Sequence, residues 1–381
     1  KGHLAIQNGS KQSIECDFEV AQFSDGDIRL ILQSDSYFQA WDTKTINLQG
    51  ITQDEQELRA TGPAIVTHQA DNHMLHYRLN SNAKLQIGEF GIVTDSEIKF
   101  AITNFEFMGT ESVQITPAKS KAARLKLSVG ELEIAIDQLI DYDERLKELK
   151  ASRGCDVTSE LTILLNKCTL ENAVEIASRI CDLLSIARGR RINWIYYEVR
   201  GNTGKSIFSD HRLRITTPFI GFELIDDIPP ENTKNFIEEC YLHCVHPSFP
   251  FDLNSIANIN SDIHSRGFIE ARCLLVFSLL DHFTHGMSMP SGKYPSTKER
   301  IDWVITKYFP KMDISEIDWY KKLRNNLVHE LKFLTPDTTT EYLRLLHFFD
   351  RILLGMLGYT GYYINVTKPN LWSGAQADKM P

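Results

Sequence analysis

Residues 321–333, KKLRNNLVHELKF, place Arg324 five positions before His329, with Asn325 directly after the arginine and Lys321 and Lys322 ahead of it. These residue types suit chemistry on an anion. An imidazole with an ordinary pKa close to 6.5 can take or give a proton near neutral pH. A guanidinium stays charged and donates from a planar fork to two oxygens at once, which matches a phosphate. Asn325 can orient the imidazole or the anion, and the two lysines would widen the positive surface. The bare spacing is weak: 19 Arg and 12 His in 381 residues give about 0.6 such pairs by chance. Its setting has to raise it.

That setting is helical. The run DISEIDWYKKLRNNLVHELKF opens with Asp313 and Glu316 in a capping-box spacing, and Pro336 sets a downstream limit. At 100° per residue, Ile317, Tyr320, Leu323, Leu327 and Leu331 make one apolar stripe. With Leu327 at 0°, Arg324 falls at about 60°, Asn325 at about 160° and His329 at about 200°. Arg324 therefore sits at the edge of the stripe. His329 and Asn325 point away from it, toward solvent or a second surface. Further helices surround the motif: ENTKNFIEECYLHCV, RGFIEARCLLVFSLLDHFTHG, STKERIDWVITKYF and EYLRLLHFFDRILLGMLGY. The second is apolar almost all round between Phe268 and Leu280, so it should be buried or packed in an interface. The last carries Leu346, Phe349, Leu353 and Leu357 at helical spacing.

Upstream the pattern is β. In SIECDFEV, Ile14, Cys16, Phe18 and Val20 alternate with Glu15, Asp17 and Glu19, as a half-buried antiparallel strand requires. DIRLILQS, AIVTHQA, HMLHYRLN, KLQIGEF and EIKFAITNFEF continue it between Asp-Gly, Asn and Gly punctuation. Next comes RLKLSVGELEIAI, a strand or strand pair around Gly130. A helix follows, capped by Thr169, favoured by Glu171 in its first turn and ended by Gly189. The strand INWIYYEV and the turn RGNTGK complete this part. The expected class is α+β. A β-rich sandwich or barrel-like domain should span 1–120, and a mixed α/β segment, continuous with it or separate, 121–228. A helical domain should span 229–365, and a tail 366–381. No repeat or low-complexity linker separates them.

Composition sets outer bounds. A chain of 381 residues and 43.6 kDa can build two or three cores, and 42% apolar with 24% charged residues is an ordinary globular balance. The formal charge of −9 speaks against bulk electrostatic binding to nucleic acid. Residues 257–334, however, hold 11 Lys and Arg against 9 Asp and Glu, so the acidity lies away from the motif. Seven cysteines, several in helical runs, read as reduced and intracellular. No stretch approaches a membrane span and no signal peptide opens the chain, which gives a cytoplasmic expectation.

The run LRNNLVHE resembles the R-x4-6-H signature of the HEPN superfamily, helical-bundle domains that often act as metal-independent ribonucleases. FIEARCLLVFSLLDHF, about forty residues upstream, is similar to the long first helix of those domains. A β-rich region ahead of such a bundle resembles the ApeA-like branch of Abi-type anti-phage proteins, and LLSIARGRRINWIYYEVRGNTG fits that branch. The HEPN resemblance covers roughly 230–365, and the branch resemblance the whole chain. It implies an endoribonuclease of abortive infection that needs no cofactor. Arg324, His329 and Asn325 would be catalytic, and Lys321 and Lys322 would contact RNA. RNA brings its own nucleophile, the 2′-OH, so a base, an acid and positive charge beside the phosphorane suffice, leaving 2′,3′-cyclic phosphate ends. A homodimer would supply the second imidazole and arginine. By analogy tRNA is the substrate, and the β-rich region restrains the toxin until a phage-derived trigger arrives. Some relatives carry an extra acidic residue on the first helix, for which both Asp281 and Glu270 stand available. The alternative is a non-catalytic HEPN-like module that dimerises and binds a ligand or protein.

Other signals compete. Cys240, His243, Cys244 and His246 in ECYLHCVHP could gather a zinc ion, although no second pair at zinc-finger spacing exists. His282 and His285 lie a turn apart beside Asp281, as a metal site or as the polar end of a helix. The basic run Arg188, Gly189, Arg190, Arg191 follows a helix and could touch RNA or simply sit at a helix C-terminus. Tyr37, Phe38 and Trp41 could line a ligand surface or a core. No P-loop, G-x-S-x-G or H-E-x-x-H occurs, so nucleotide hydrolysis and serine or zinc peptidase chemistry have no support.

Overall fold

The computed structural model describes residues 2–8, 10–35, 44–71, 73–80, 83–89, 96–116, 119–201, 203, 205–212, 219, 221–265, 267–286, 297–308, 314–370 and 374–380. The protein is α+β, with antiparallel strands through the first half and helices through most of the second. It divides into two compact units, neither continuous in sequence. The first holds 1–106, 132–178 and 192–218, and the second 107–131, 179–191 and 219–381.

The first unit begins with strands β1 (Gly2–Asn8), β2 (Ser10–Gln22), β3 (Ile28–Gln33), β4 (Lys44–Ile51), β5 (Glu57–Asp71), β6 (Met74–Leu79) and β7 (Lys84–Gly88). Alternation does the work here: in β2, Cys16 is buried with Phe18 and Val20 partly so, while Glu15 and Glu19 are exposed. The order β4-β1-β2-β3-β6-β5 closes on itself, because β4 also pairs with β5 from Lys44 against Ala64 to Ile51 against Glu57. The β-rich region is thus a closed ring rather than an open face. Leu30, Leu32, Ile46, Leu48, Leu58, Leu75, Tyr77 and Leu85 fill its core. Burial pushes the Tyr77 hydroxyl up to about 12.

The remaining strands and helices of the first half are β8 (Glu97–Thr103), β9 (Glu111–Thr116), β10 (Lys119–Val129), β11 (Leu132–Gln138), α1 (Tyr142–Ser152), β12 (Val157–Leu164), α2 (Leu170–Arg188), β13 (Trp194–Arg200) and β14 (Ser206–Arg212). Within the first unit, β7 pairs with β14 and the sheet continues β14-β13-β8-β12-β11, all antiparallel. Its aromatic centre is Phe100 against Trp194 and Tyr197 at 5.6 and 5.4 Å between ring centroids. As its sequence predicts, α2 is capped by Thr169, whose Oγ1 accepts from the Asn172 N–H at 3.2 Å. It stops at Gly189, whose φ of +56° suits glycine, and a Cβ there would meet the Phe222 carbonyl oxygen at 2.1 Å.

The second unit holds β9 and β10 as a hairpin, then α3 (Glu231–Cys244), α4 (Leu253–His264), α5 (Ile269–Gly286), α6 (Thr297–Tyr308), α7 (Ile314–Glu330) and α8 (Thr338–Met356). A hairpin of β15 (Tyr362–Asn370) and β16 (Gly374–Lys379) ends it, so the segment expected as a tail is largely paired strand. Helix α5 packs on α4, α6, α7 and α8, burying Cys273, Val276, Phe277, Leu279, Leu280 and Phe283. It is not covered all round: Leu274 on the helix, and Phe268 just ahead of it, remain exposed. Asp337 caps α8 by accepting from Thr340 N–H at 3.1 Å, and Glu341 accepts from Leu334 N–H at 2.7 Å. Among the described residues no helix is long and apolar enough to cross a membrane.

Candidate functional site

Helix α7 forms as its periodicity demands, with Ile317, Tyr320, Leu323 and Leu327 buried toward the bundle. The stripe does not extend to Leu331. That residue adopts φ 53°, is 68% exposed and ends the helix, its N–H reaching the Leu327 carbonyl at 3.2 Å while Lys332 N–H reaches Asn326 at 3.4 Å. Asp313 of the expected capping box lies outside the described residues. Glu316 bonds Arg351 of α8 at 3.1 Å.

Arg324 sits at the edge of the buried stripe, and its Nη2 donates to Asp281 Oδ2 of α5 at 2.9 Å. Both side chains are about three-quarters covered, at 25% and 28% exposed. Of the two acids, Asp281 meets the arginine, while Glu270 is exposed at the other end of α5. Among the described residues three buried polar atoms of this group have no hydrogen-bond partner, namely Arg324 Nε, Asp281 Oδ1 and the Tyr320 hydroxyl. Tyr320 is 0% exposed, with its ring edge-on to Phe277 at 5.6 Å and stacked on Phe348 at 5.1 Å. Burial raises the Tyr320 hydroxyl far above its ordinary range, Asp281 pushes it the same way and Arg324 opposes, so it stays a neutral O–H.

His329, Asn325 and Lys322 are exposed on the outer side of α7, as the helical angles place them. Lys321 is half-buried and bonds Asp302 of α6 at 2.9 Å, with Asp318 at 3.9 Å, so much of its charge is already matched. One chain thus supplies an arginine held by a carboxylate and, five residues on, a histidine open to solvent.

The residues of the competing signals have the following neighbours. His285 Nδ1–H donates to the Asp281 carbonyl at 2.8 Å, and His282 lies against Phe251 with centroids 5.6 Å apart. Cys240 is buried, and burial raises its thiol well above the usual value. Cys244 is pushed up to about 12 by burial, His246 Nδ1 pairs with Ser248 Oγ at 2.7 Å, and His243 lies against Gly358. Among the described residues no group of three or more His, Cys, Asp and Glu side chains gathers to hold a metal ion.

The basic run after α2 is corrected as a possible RNA contact, because all three arginines are buried. Arg188 bonds the Ile225 carbonyl at 2.6 Å, Thr233 at 2.9 Å and the Asp227 carboxylate. Arg190 pairs with Glu223 at 3.3 Å and lies over Phe219, and Arg191 pairs with Asp182 at 3.2 Å. Sequence adjacency made them look like a surface patch; their acidic partners lie nine to thirty-nine residues away. Tyr37, Phe38 and Trp41 lie outside the described residues. The reading also missed the Tyr320 hydroxyl, although a tyrosine one turn before Arg324 on a core stripe was a usable signal.

Residues 94–221 match the family model described as the YopA central domain. The match covers a third of the chain, runs from β8 through β14 and stops before α3–α8, so it does not include Arg324 or His329. No curated protein and no solved structure matches the chain.

Proposed function

We propose that the chain is a metal-independent endoribonuclease of cytoplasmic anti-phage defence, working as a dimer of HEPN-like helical bundles. One observation carries the reading. On a single helix, Arg324 is held at the edge of the core by Asp281 while His329 five residues on stays open to solvent. Arg324 can receive a scissile phosphate on the nitrogen not given to Asp281, and His329 can move the proton of a ribose 2′-OH. A second copy opposite would supply the other proton-transfer group. Asn325 orients the phosphate or ring, and Lys322 adds charge. The β-rich first unit would act as the restraint that a phage-derived trigger lifts.

The test is RNA cleavage in EDTA. Wild type should leave 2′,3′-cyclic phosphate ends, and His329→Ala should lose the activity by a factor on the order of 10²–10⁴, the usual worth of a general acid or base. Equal cleavage by both proteins ends the reading. A second reading, a non-catalytic interaction module, is favoured by the tethering of Arg324 to Asp281 within one chain. Expression separates the two: a nuclease harms the host in a way that Arg324→Ala abolishes, and a binding module does not.

A further inference from the structure

The three atoms of Tyr320, Arg324 and Asp281 that have no partner among the described residues form a complementary set. Arg324 Nε–H is a donor without an acceptor, Asp281 Oδ1 an acceptor without a donor, and the Tyr320 hydroxyl can be either. All three are shielded from solvent, Tyr320 and Arg324 stand one turn apart on α7, and Asp281 is bonded to Arg324 at 2.9 Å. Leaving such buried groups unmatched is unfavourable. We infer that Tyr320 is a positioning residue for Arg324: its hydroxyl, relayed by one water, joins Arg324 Nε–H to Asp281 Oδ1. One buried water ordinarily makes about three hydrogen bonds, enough to serve all three groups.

The consequence is directional. With Nε tied from behind and Nη2 given to Asp281 Oδ2, the guanidinium cannot rotate about its own axis, and Nη1 is the nitrogen left for an incoming anion. Tyr320 touches no substrate. The ring itself is fixed by Phe277 and Phe348, so the hydroxyl is a chemical choice rather than a packing need: Phe would fill the same space.

The inference rests on the proposed site, yet its test does not need RNA. In the full chain labelled with ¹⁵N-arginine, the Arg324 Nε–H signal, assigned by its loss in Arg324→Lys, should exchange slowly with solvent. Tyr320→Phe should speed that exchange roughly two- to twelve-fold, the worth of one hydrogen bond. Asp281→Asn, which keeps the shape but removes the charge, should speed it as well. In RNA cleavage Tyr320→Phe should lower kcat by a similar factor with KM little changed. A freely exchanging Nε–H in wild type, or identical exchange in Tyr320→Phe, overturns the positioning role whatever the RNA assay gives. A protected Nε–H that Tyr320→Phe releases, in a protein that cleaves no RNA, keeps the positioning role and removes the nuclease reading.

Discussion

Replacing Asp227 with alanine tests whether the arginine-rich turn after α2 is architecture. The Arg188 guanidinium is 0% exposed and rests on the Ile225 carbonyl, the Thr233 hydroxyl and the Asp227 carboxylate, with Glu223 farther off at 3.9 Å. Asp227→Ala keeps the two neutral acceptors and removes the nearest counter-charge. A buried charge stripped of its partner costs about 3–5 kcal/mol, against a total of about 5–15 kcal/mol for an ordinary domain. Arg188→Met should cost less, because no charge is then left to bury. The double variant should be more stable than Asp227→Ala alone. The direction of the Asp227 titration agrees: burial pushes its carboxyl up more than Arg188 pulls it down, so the pair is costly to bury. Urea unfolding followed by far-ultraviolet circular dichroism reads this as a midpoint shift at unchanged slope. The reasoning fails if Asp227→Ala stays within about 1 kcal/mol of wild type, or if Arg188→Met is the worse of the two. It also fails if folded Arg188→Met has lost affinity for RNA, which would return the cluster to the surface.

Two further outcomes follow from the same kind of argument. Burial, opposed by Asp210 and Glu198, lowers His211 to about 4, so its neutral ring stabilises the fold above the unfolded value near 6.5. That contribution is lost as pH falls from 6.5 toward 4, by up to roughly 3 kcal/mol, and His211→Gln should flatten thermal melts across that window. Leu331→Gly should raise stability by about 0.5–1 kcal/mol in the same melts, since a side chain at φ 53° is strained and this one is mostly in water. A drop in melting temperature would show that the exposed leucine has a packing role.

What the sequence could reveal depended on how local the cause was. The alternation of β2 and the stripe from Ile317 to Leu327 are set by neighbours within a few residues, and both appear as expected. Thr169 and Gly189 bound α2 for reasons equally local. Leu331 misled because hydrophobic periodicity does not register a left-handed residue. Asp281 and Glu270 were indistinguishable because only the packing of α5 on α7 decides which acid reaches Arg324. Arg188 and Arg190 looked solvated because their counter-charges arrive from more than thirty residues away, and Arg191 because its partner Asp182 lies back along α2. The closing pairing of β4 with β5 and the interleaving of the two units are likewise long-range facts.

The closed ring of the first unit limits where a ligand could be held. Six strands enclose a narrower lumen than the eight that just suffice to hold one small molecule, and leucine, isoleucine and tyrosine side chains already occupy it. A guest inside the ring would have to displace them. A ligand of this ring would therefore have to meet its outer wall or its rims.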